Sequence, residues 1–375
     1  MKIVVLDINY PSDTNLYGDV FVHARVQGYL ALGHDVHVLA FFTRGASYSF
    51  EGVAVTCVSD LGALRQAIQQ IAPDVIAIHF FQGWMLRKLV LHTSTPIAVW
   101  VHGMEALGWY RRLFDVPSLR GFAKHVAANI LQLVRMRDLY KYVGQNSDHA
   151  ALVFVSKWMR DAAAMDALID IRPYHIIPNP IDTTLFSYEP KSAALRSRVL
   201  LIRSFDSRKY ANDIAVDAIL ALRQRANVDD FHFTIVGKGK YFAKLTEPLR
   251  TMQNVSIQNT FVDREQMREL HSRHGIFLCP TRQDAQGVSM CEAMASGLVP
   301  VTSQSTAIPE FVTHGESGYL CGDSDSIADA IYELWESPER FERMSAAAAK
   351  AIDKKASSGT VIPREITMML GLIGR

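Results

Sequence analysis

The sequence predicts an α/β protein that contains two doubly wound, Rossmann-like domains. Three observations lead to this prediction: short apolar runs alternate with helical patterns, a turn-rich stretch divides the chain, and 375 residues are enough for two domains. The apolar runs interpreted as strands are 3–6, 35–40, 75–79, 97–102, 152–155, 175–177, 199–202, 232–236, 255–258, 276–278, 299–302 and 318–321. Helical patterns between most of these runs favour parallel sheets.

The turn-rich stretch is Pro178-Asn179-Pro180-Ile181-Asp182, which lies between the two α/β patterns. It predicts a first domain over 1–180 and a second over 181–355. The C-terminal segment, 356–375, is a candidate to cross back to the first domain. Ligands of such folds bind at the carboxyl ends of the strands, so we expect the site in a cleft between the two sheets.

The amino-acid composition excludes several classes of protein function. Hydrophobic residues make up 49% and charged residues 21%, as in a globular protein with a large core, and a net charge of +1 argues against nucleic acid as a partner. The four cysteines are scattered and show no metal-ligand spacing. The N-terminus resembles a buried strand rather than a signal peptide, and no run of about 18 apolar residues occurs. We therefore expect a cytoplasmic protein.

The segment 278–303 carries the strongest functional pattern, because it reads strand, polar loop, helix, strand. Asp284 lies in the loop, Gly287 at the start of the helix and Glu292 within it. The first N–H groups of a helix have no partner inside it and attract phosphate. Glycine allows a ligand to approach the backbone, and a carboxylate can accept from both hydroxyls of a ribose. An ordinary crossover with a capped helix fits the spacing about equally well.

The residues of this segment resemble a known family. The run DAQGVSMCEAMASGLVPV, from Asp284 to Val301, is similar to the pattern E-G-F-G-x4-E-A-M-A-x-G-x-P-V of retaining GT-B glycosyltransferases of family 4. Asp284 stands where that family usually has Glu, and Gln286 where it often has Phe. Further short matches follow in family order at 33–36, 73–76, 102–103, 178–182, 237–239, 308–310 and 315–318.

The resemblance implies a GT-B fold, with two Rossmann-like domains facing across a cleft. It also implies a retaining transfer of a sugar from a UDP- or GDP-linked donor to an acceptor hydroxyl, in surface polysaccharide or other cell-envelope glycan synthesis. The donor-binding residues that it implies are Arg203, Arg208, Lys209, Gly237, Phe261, Val262, Asp284, Gln286, Gly287, Val288 and Glu292.

The resemblance implies roles for most of the charged residues and for the start of the helix. Arg203 and Lys209 hold the diphosphate, with Arg208 as the reserve for Lys209. Glu292 binds the ribose, Asp284 the donor sugar, and the amides near Gly287 and Val288 the phosphate or sugar. No metal or other cofactor is expected, because the basic side chains and the helix N-terminus can balance the leaving diphosphate. Without the resemblance, a solvated basic loop would be the better interpretation of the residues around Arg203.

The first half of the chain supplies the expected acceptor side. The residues implied there are Tyr17, Gly18, His102 and Glu105. His102 ends an apolar strand, where it can hydrogen-bond a sugar hydroxyl or transfer a proton; His79 ends the preceding strand and ranks below it. The predicted catalytic residues are His102, Asp284 and Glu292.

A basic amphipathic stretch covers 110–142, where seven Lys and Arg residues face two Asp residues and apolar residues recur at helical spacing. Such a face can lie on an anionic membrane. The hypothesis is that it docks the enzyme at the inner face of the cytoplasmic membrane, beside a glycan or lipid-linked acceptor. A helix that packs its apolar stripe on the core explains the pattern about as well.

Three other functions are alternatives to that of a transferase. A nucleotide-sugar epimerase of GT-B fold would not need an acceptor site in the first domain. A phosphorylase with pyridoxal phosphate would need a buried lysine, and no candidate stands out. A non-catalytic, two-domain sugar-binding protein of periplasmic type would need an export signal, which the sequence does not show.

Overall fold

The computed structural model describes residues 1–15, 18–41, 46–116, 118–225 and 228–374. It divides the chain into unit 1, Met1–Pro180 with Ser358–Arg375, and unit 2, Ile181–Ser357. Ala356 still belongs to unit 2, because its side chain is buried in that core and its carbonyl accepts from the Ile181 amide at 2.7 Å. The segment that returns to unit 1 therefore starts at Ser358.

Unit 1 is built on a sheet with the strand order β3-β4-β2-β1-β5-β6-β7-β8 among the described residues. Its strands are β1 (Lys2–Asp7), β2 (Asp35–Phe41), β3 (Tyr48–Phe50), β4 (Val53–Val58), β5 (Val75–His79), β6 (Ile97–Val101), β7 (Ala150–Phe154) and β8 (His175–Ile176). All pairs are parallel except β3 with β4.

The helices of unit 1 connect these strands and cover the sheet. They are α1 (Val20–Ala31), α2 (Leu61–Ile71), α3 (Gly83–Lys88), α4 (Leu119–Gln145), α5 (Lys157–Ala167) and, from the end of the chain, α12 (Ser358–Ile373). Short 3₁₀ helices lie at Val90–His92, Met104–Ala106 and Trp109–Asp115.

Unit 2 contains a parallel sheet with the order β11-β10-β9-β12-β13-β14 in the part of the chain that is described. Its strands are β9 (Arg198–Ile202), β10 (His232–Gly237), β11 (Val255–Asn259), β12 (Ile276–Cys279), β13 (Val299–Ser303) and β14 (Tyr319–Cys321). Its helices are α6 (Asn212–Leu222), α7 (Phe242–Thr246), α8 (Arg264–Ser272), α9 (Val288–Ala295), α10 (Ser324–Glu336) and α11 (Pro338–Ala356). Short 3₁₀ helices lie at Ala193–Ser197, Arg208–Tyr210, Val228–Asp230, Glu247–Leu249 and Ile308–Glu310.

The central strands of unit 2 are apolar on both faces, which explains their continuous hydrophobic runs, whereas Ser256, Gln258 and Asn259 of the edge strand β11 are exposed. In β12, Ile276 and Leu278 pack into one core, whereas Phe277 and Cys279 pack into the core on the opposite face. Successive side chains of a strand point to opposite faces, so a sheet that is covered by helices on both sides buries every position. The sequence pattern of alternating apolar runs and helices follows from this burial.

The hairpin formed by β3 and β4 is absent from the strands predicted from the sequence. Glu51 and Gly52 connect the two strands and have φ angles of 44° and 79°. Positive φ at both central residues is the geometry of the tight turns that join antiparallel strands. The residues after Gly52 alternate between buried and exposed, as in a strand with one buried face. The predicted strands were instead the continuous apolar runs that are typical of parallel sheets.

A buried ion pair joins the two ends of the chain within unit 1. Arg25 of α1 donates from Nε to Glu365 Oε1 of α12 at 2.9 Å, and both side chains are fully buried. Glu365 also accepts from Tyr29 Oη at 2.5 Å and from Trp100 Nε1 at 3.3 Å. Arg25 Nη1 donates to Asn179 Oδ1 at 2.9 Å. The pair therefore links α1, α12, the sheet and the last residues before unit 2.

Replacing Glu365 with Ala is expected to lower the free energy of unfolding of unit 1 by roughly 3–5 kcal/mol, because it leaves the Arg25 cation buried without a counter-charge. Urea unfolding followed by tryptophan fluorescence measures this, since four of the five tryptophans lie in unit 1. The matched control is Asp170→Ala, which breaks the exposed Arg172–Asp170 pair and is expected to cost less than about 1 kcal/mol. Equal losses in the two variants would contradict the expectation.

Candidate functional site

Unit 2 brings together a group of charged residues at the carboxyl edge of its sheet. Arg203 follows β9, Asp284 lies between β12 and α9, and Lys209 lies in the loop that leads to α6. The guanidinium of Arg203 and the ammonium of Lys209 lie 5.2 and 5.0 Å from the centre of the Tyr210 ring. The sequence-predicted cations are therefore neighbours around one aromatic ring.

Arg203 is a buried cation that is only partly paired. Its Nη2 donates to the Cys279 carbonyl at 3.4 Å, and its Nη1 lies 4.0 Å from Asp284 Oδ2. Only 4% of its side chain is exposed, and its Nε has no hydrogen-bond partner. A buried N–H without an acceptor is costly, so the guanidinium is poised for an anionic ligand.

The two other predicted cations differ in their surroundings. Arg208 is exposed and lies 3.6 Å from the Asp213 carboxylate, which Arg282 also holds with two hydrogen bonds of 2.8 Å. Lys209 has no carboxylate partner among the described residues, and its backbone carbonyl accepts from the Arg282 amide at 2.8 Å. Lys209 is therefore the freer cation, and Arg282, which the sequence reasoning missed, fixes its loop.

Asp284 organises the loop before α9. Its Oδ1 accepts from the Gly287 amide at 2.8 Å and from the Gln286 amide at 3.3 Å. Gly287 has a φ of 80°, a region that glycine adopts without strain. The Gly287 amide, which was predicted to help bind the phosphate or sugar, already donates to Asp284 in this structure.

Gln286 was predicted to bind the donor. Its side chain is 1% exposed and interacts with the Cys291 thiol. The amides of Val288 and Ser289 belong to the first turn of α9, where no acceptor exists inside the helix. These amides, rather than Gly287 and Gln286, are suited to an anion.

Glu292 lies in the second turn of α9 and forms no hydrogen bond or ion pair with another described side chain. Removal from water raises the pKa of Glu292 to about 7; the Arg264 cation opposes this shift and the Asp182 carboxylate adds to it. Arg264 itself donates to Asp182 at 3.1 Å. An unpaired carboxyl with a raised pKa is typical of a ligand-binding position.

The remaining donor-side predictions lie on the flanks of this group. A Cβ added to Gly237 would lie 2.1 Å from the Arg203 carbonyl oxygen, so Gly237 is needed for the packing of the Arg203 segment. Phe261 is 47% exposed, and Lys238 Nζ lies 5.8 Å from its ring centre. The Val262 side chain is buried.

Unit 1 places His102 and Glu105 at the carboxyl edge of its own sheet. His102 Nε2 lies 2.9 Å from His79 Nδ1, and both rings are buried. Glu105 accepts from the His102 amide at 2.6 Å and from the Gly103 amide at 3.1 Å. Both carboxylate oxygens of Glu105 accept from this loop and shape the backbone beside His102, and the contact of Glu105 with an acceptor stays a prediction.

The glycine-containing loop after β1 was predicted to contact the acceptor. Tyr17 lies outside the described residues. A Cβ added to Gly18 would lie 2.6 Å from the Asn9 carbonyl oxygen, which explains why glycine stands there. The Asp19 amide donates to the same carbonyl at 2.9 Å.

A buried carboxyl pair, Asp7 and Asp19, was missed by the sequence reasoning. Asp7 ends β1 and Asp19 precedes α1, and the two carboxyls are close enough for the charge of Asp7 to act on Asp19. Two buried carboxyls that interact in this way do not both ionise readily. Burial first, and then the charge of Asp7, raise the pKa of Asp19; burial also raises the pKa of Asp7. The signal available in the sequence was Asp7, an acidic residue at the end of an apolar strand.

Among the residues that the structure describes, no group of three or more His, Cys, Asp and Glu side chains is arranged to hold a metal ion. None of the helices found there is long and apolar enough to cross a membrane.

Family models and known proteins match both halves of the chain. A family model described as Glycosyltransferase Family 4 matches residues 19–185, and one described as Glycosyl transferases group 1 matches residues 196–337. The amylovoran biosynthesis glycosyltransferase AmsK of Erwinia amylovora is 27% identical over 89% of this chain and 90% of that protein. N-acetyl-alpha-D-glucosaminyl L-malate synthase of Bacillus anthracis is 24% identical, but the match spans only 46% of this chain and 45% of that protein.

Solved structures show the same fold. A sucrose-phosphate synthase from Thermosynechococcus elongatus superimposes with a TM-score of 0.78 at 13% identity, and the match covers 100% of both chains. HepE from Anabaena, in complex with UDP and glucose, gives a TM-score of 0.70 at 15% identity over 99% of both chains. The prediction of a GT-B fold with two Rossmann-like domains is confirmed.

The Asp7–Asp19 pair predicts how stability depends on pH. Because the pKa of Asp19 is raised, native Asp19 keeps a proton that the unfolded chain releases above about pH 4, so stability falls as pH rises from there. Asp19→Asn is expected to remove up to about 1.4 kcal/mol of this loss per pH unit. Urea unfolding at several values between pH 5 and 8 tests this. Asp13→Asn, at an exposed position nearby, is expected to keep the wild-type dependence of the unfolding free energy on pH. The same dependence in Asp19→Asn would contradict the protonation of Asp19.

Proposed function

Because the chain belongs to the family 4, group 1 glycosyltransferases, we propose that it transfers a sugar from a UDP- or GDP-sugar to an acceptor hydroxyl with retention at the anomeric carbon. The observation that carries the proposal is the group of incompletely paired charges at the carboxyl edge of the unit 2 sheet. Arg203 and Lys209 provide two cations, and the start of α9 provides unpaired amides. Together they suit a diphosphate.

The diphosphate becomes the leaving group when the bond between sugar and phosphate breaks. Negative charge then grows on the phosphate oxygens, and a buried cation stabilises this charge more strongly than an exposed one. Arg203 has the buried position and an unpaired Nε, and Lys209 adds a second charge beside the same Tyr210 ring. These residues can balance the leaving group without a metal ion, and no metal is part of the proposed mechanism.

The two acids bind the ends of the donor. Glu292 has no hydrogen-bond partner among the described side chains, so its carboxylate is available for both ribose hydroxyls. Asp284 uses Oδ1 for the loop amides, and its Oδ2 is left beside Arg203 for a sugar hydroxyl. His102, in unit 1, contacts the acceptor hydroxyl in this proposal. The similarity to AmsK, which is named an amylovoran biosynthesis glycosyltransferase, supports an acceptor that belongs to polysaccharide synthesis.

Donor binding is expected to strengthen as Glu292 ionises. With the pKa of Glu292 near 7, its charged fraction rises from about one tenth at pH 6 to about nine tenths at pH 8, so affinity is expected to rise roughly tenfold. Calorimetric titration with UDP-glucose and GDP-mannose measures this, because their diphosphate diesters do not themselves titrate in that range.

The control is Glu292→Gln, which keeps the size of the side chain and removes its titration. This variant is expected to bind the donor weakly and with a flat pH profile, and to lose turnover. Wild-type turnover in Glu292→Gln would refute the assignment. Failure of both nucleotide sugars to bind the wild type would refute the donor class.

We also propose that α4 docks the protein on an anionic membrane, where a lipid-linked acceptor is held. No residue of the first half of α4 is buried; its buried residues are Met136, Leu139, Tyr140 and Val143. The exposed large apolar residues of α4 are Leu119 at 89%, Ile130 at 46%, Leu131 at 56% and Val134 at 55%, and all of them precede its first buried residue, Met136. Arg120 and Lys124 are exposed beside this stripe, and no acidic residue lies between them. Apolar and basic residues on one unpacked face suit an anionic lipid surface.

The membrane proposal predicts binding to phosphatidylglycerol vesicles and not to phosphatidylcholine vesicles. Arg120→Glu with Lys124→Glu is expected to weaken this binding by more than about tenfold, since each basic residue near an anionic surface contributes about 1 kcal/mol. The matched control is Lys350→Glu with Lys354→Glu, an exposed pair at the same spacing on α11, which is expected to bind as the wild type does. Co-sedimentation measures both. Equal losses in the two variants, or no binding by the wild type, would refute docking through α4.

A further inference from the structure

Two stacked imidazoles lie at the carboxyl edge of the unit 1 sheet. His79 is the last residue of β5, and His102 follows β6, the neighbouring strand. Their ring centres are 5.2 Å apart with an angle of 22° between the planes, and His79 also stacks on Trp100 at 4.9 Å. Phe21 and Phe80 pack against His102 at 4.9 and 4.7 Å. The rings are held by aromatic packing on several sides.

Both imidazoles are neutral in the folded protein. Burial, followed by the neighbouring imidazole and the Arg25 cation, lowers the pKa of His79 well below its ordinary value. Burial and Arg25 do the same to the pKa of His102. The 2.9 Å contact between His79 Nδ1 and His102 Nε2 therefore contains one proton, which belongs to one ring or the other.

The position of this proton decides what the pair presents outward. His79 Nε2 and His102 Nδ1 are buried and have no hydrogen-bond partner in the structure. Each tautomer leaves one of these two nitrogens as an N–H without an acceptor. If His102 were the donor, that N–H would be on His79 Nε2, in a ring that is not exposed and that no ligand can reach. If His79 is the donor, the N–H is on His102 Nδ1, in the ring that is 8% exposed, where a ligand oxygen can supply the acceptor. His79 is therefore the donor, and His102 carries its proton on Nδ1.

We propose that His79 is a positioning residue that fixes His102 as a neutral imidazole with Nδ1–H available to donate to a substrate oxygen. His102 is 8% exposed and His79 is not exposed, so only His102 reaches the surface. The carboxylate of Glu105 holds the backbone amides of His102 and Gly103 and thereby orients the ring. The use of this donor in turnover rests on the proposed function, whereas the tautomer does not.

The tautomer is read directly from long-range proton–nitrogen spectra of the imidazoles in the free protein, with His102→Gln to assign its signals. The wild type is expected to show His102 with the proton on Nδ1 only. His79→Leu removes the donor and is expected to give a mixture of tautomers. His79→Asn places an amide N–H near the position of Nδ1 and is expected to restore the wild-type spectrum. A wild-type His102 that is protonated on Nε2, or an unchanged tautomer in His79→Leu, would overturn the proposal.

Turnover separates this inference from the proposed function. His79→Leu is expected to lower kcat by about tenfold or more, with the affinity for the nucleotide unchanged, and His79→Asn to recover most of the loss. Ile78→Ala, at the adjacent buried position of β5, controls for lost stability and is expected to leave the tautomer intact. If the tautomer shifts as expected while kcat in His79→Leu matches that of Ile78→Ala, the contact of His102 with substrate is wrong and the control of its tautomer by His79 stands.

Discussion

The buried Arg25–Glu365 ion pair is the interaction on which the arrangement of unit 1 depends. A charge pair that is fully removed from water is stable only when its remaining donors and acceptors are also satisfied, and here Tyr29, Trp100 and Asn179 do so. Glu365 thereby fixes Trp100, on which His79 stacks, and His79 in turn bonds His102. A residue near the end of the chain thus supports the edge of the sheet that carries the proposed acceptor side.

The two units present different chemistry at the carboxyl edges of their sheets. Unit 2 offers cations and helix amides with unfilled hydrogen bonds, as a diphosphate requires. Unit 1 offers neutral imidazoles and the Asp7–Asp19 pair, in which the raised pKa of Asp19 leaves less negative charge than two free carboxylates carry. A neutral hydroxyl is the appropriate ligand for such a surface, since hydroxyls both donate and accept. The division of labour proposed for donor and acceptor follows from these charges.

Local patterns explain what the sequence could predict. Runs such as 299–302 reveal buried strands because burial on both faces demands apolar residues, and Gly287 and Gly297 mark the limits of α9 because positive φ favours glycine. The Arg25–Glu365 pair spans 340 positions, and the Asp7–Asp19 and His79–His102 pairs form only when strands and helices assemble. No periodicity encodes such contacts. The use of the Gly287 amide by Asp284 was also hidden, because spacing cannot show which way a carboxylate turns.

The contact between Asp284 and the Gly287 amide gives a physical reason for the Asp that stands at position 284, where the family usually has Glu. A short acid reaches the amide three residues ahead and closes a tight turn around Gly287. With Asp284, one carboxylate oxygen shapes the loop and the other lies 4.0 Å from Arg203 Nη1, so the sugar end of the proposed donor site relies on a single oxygen.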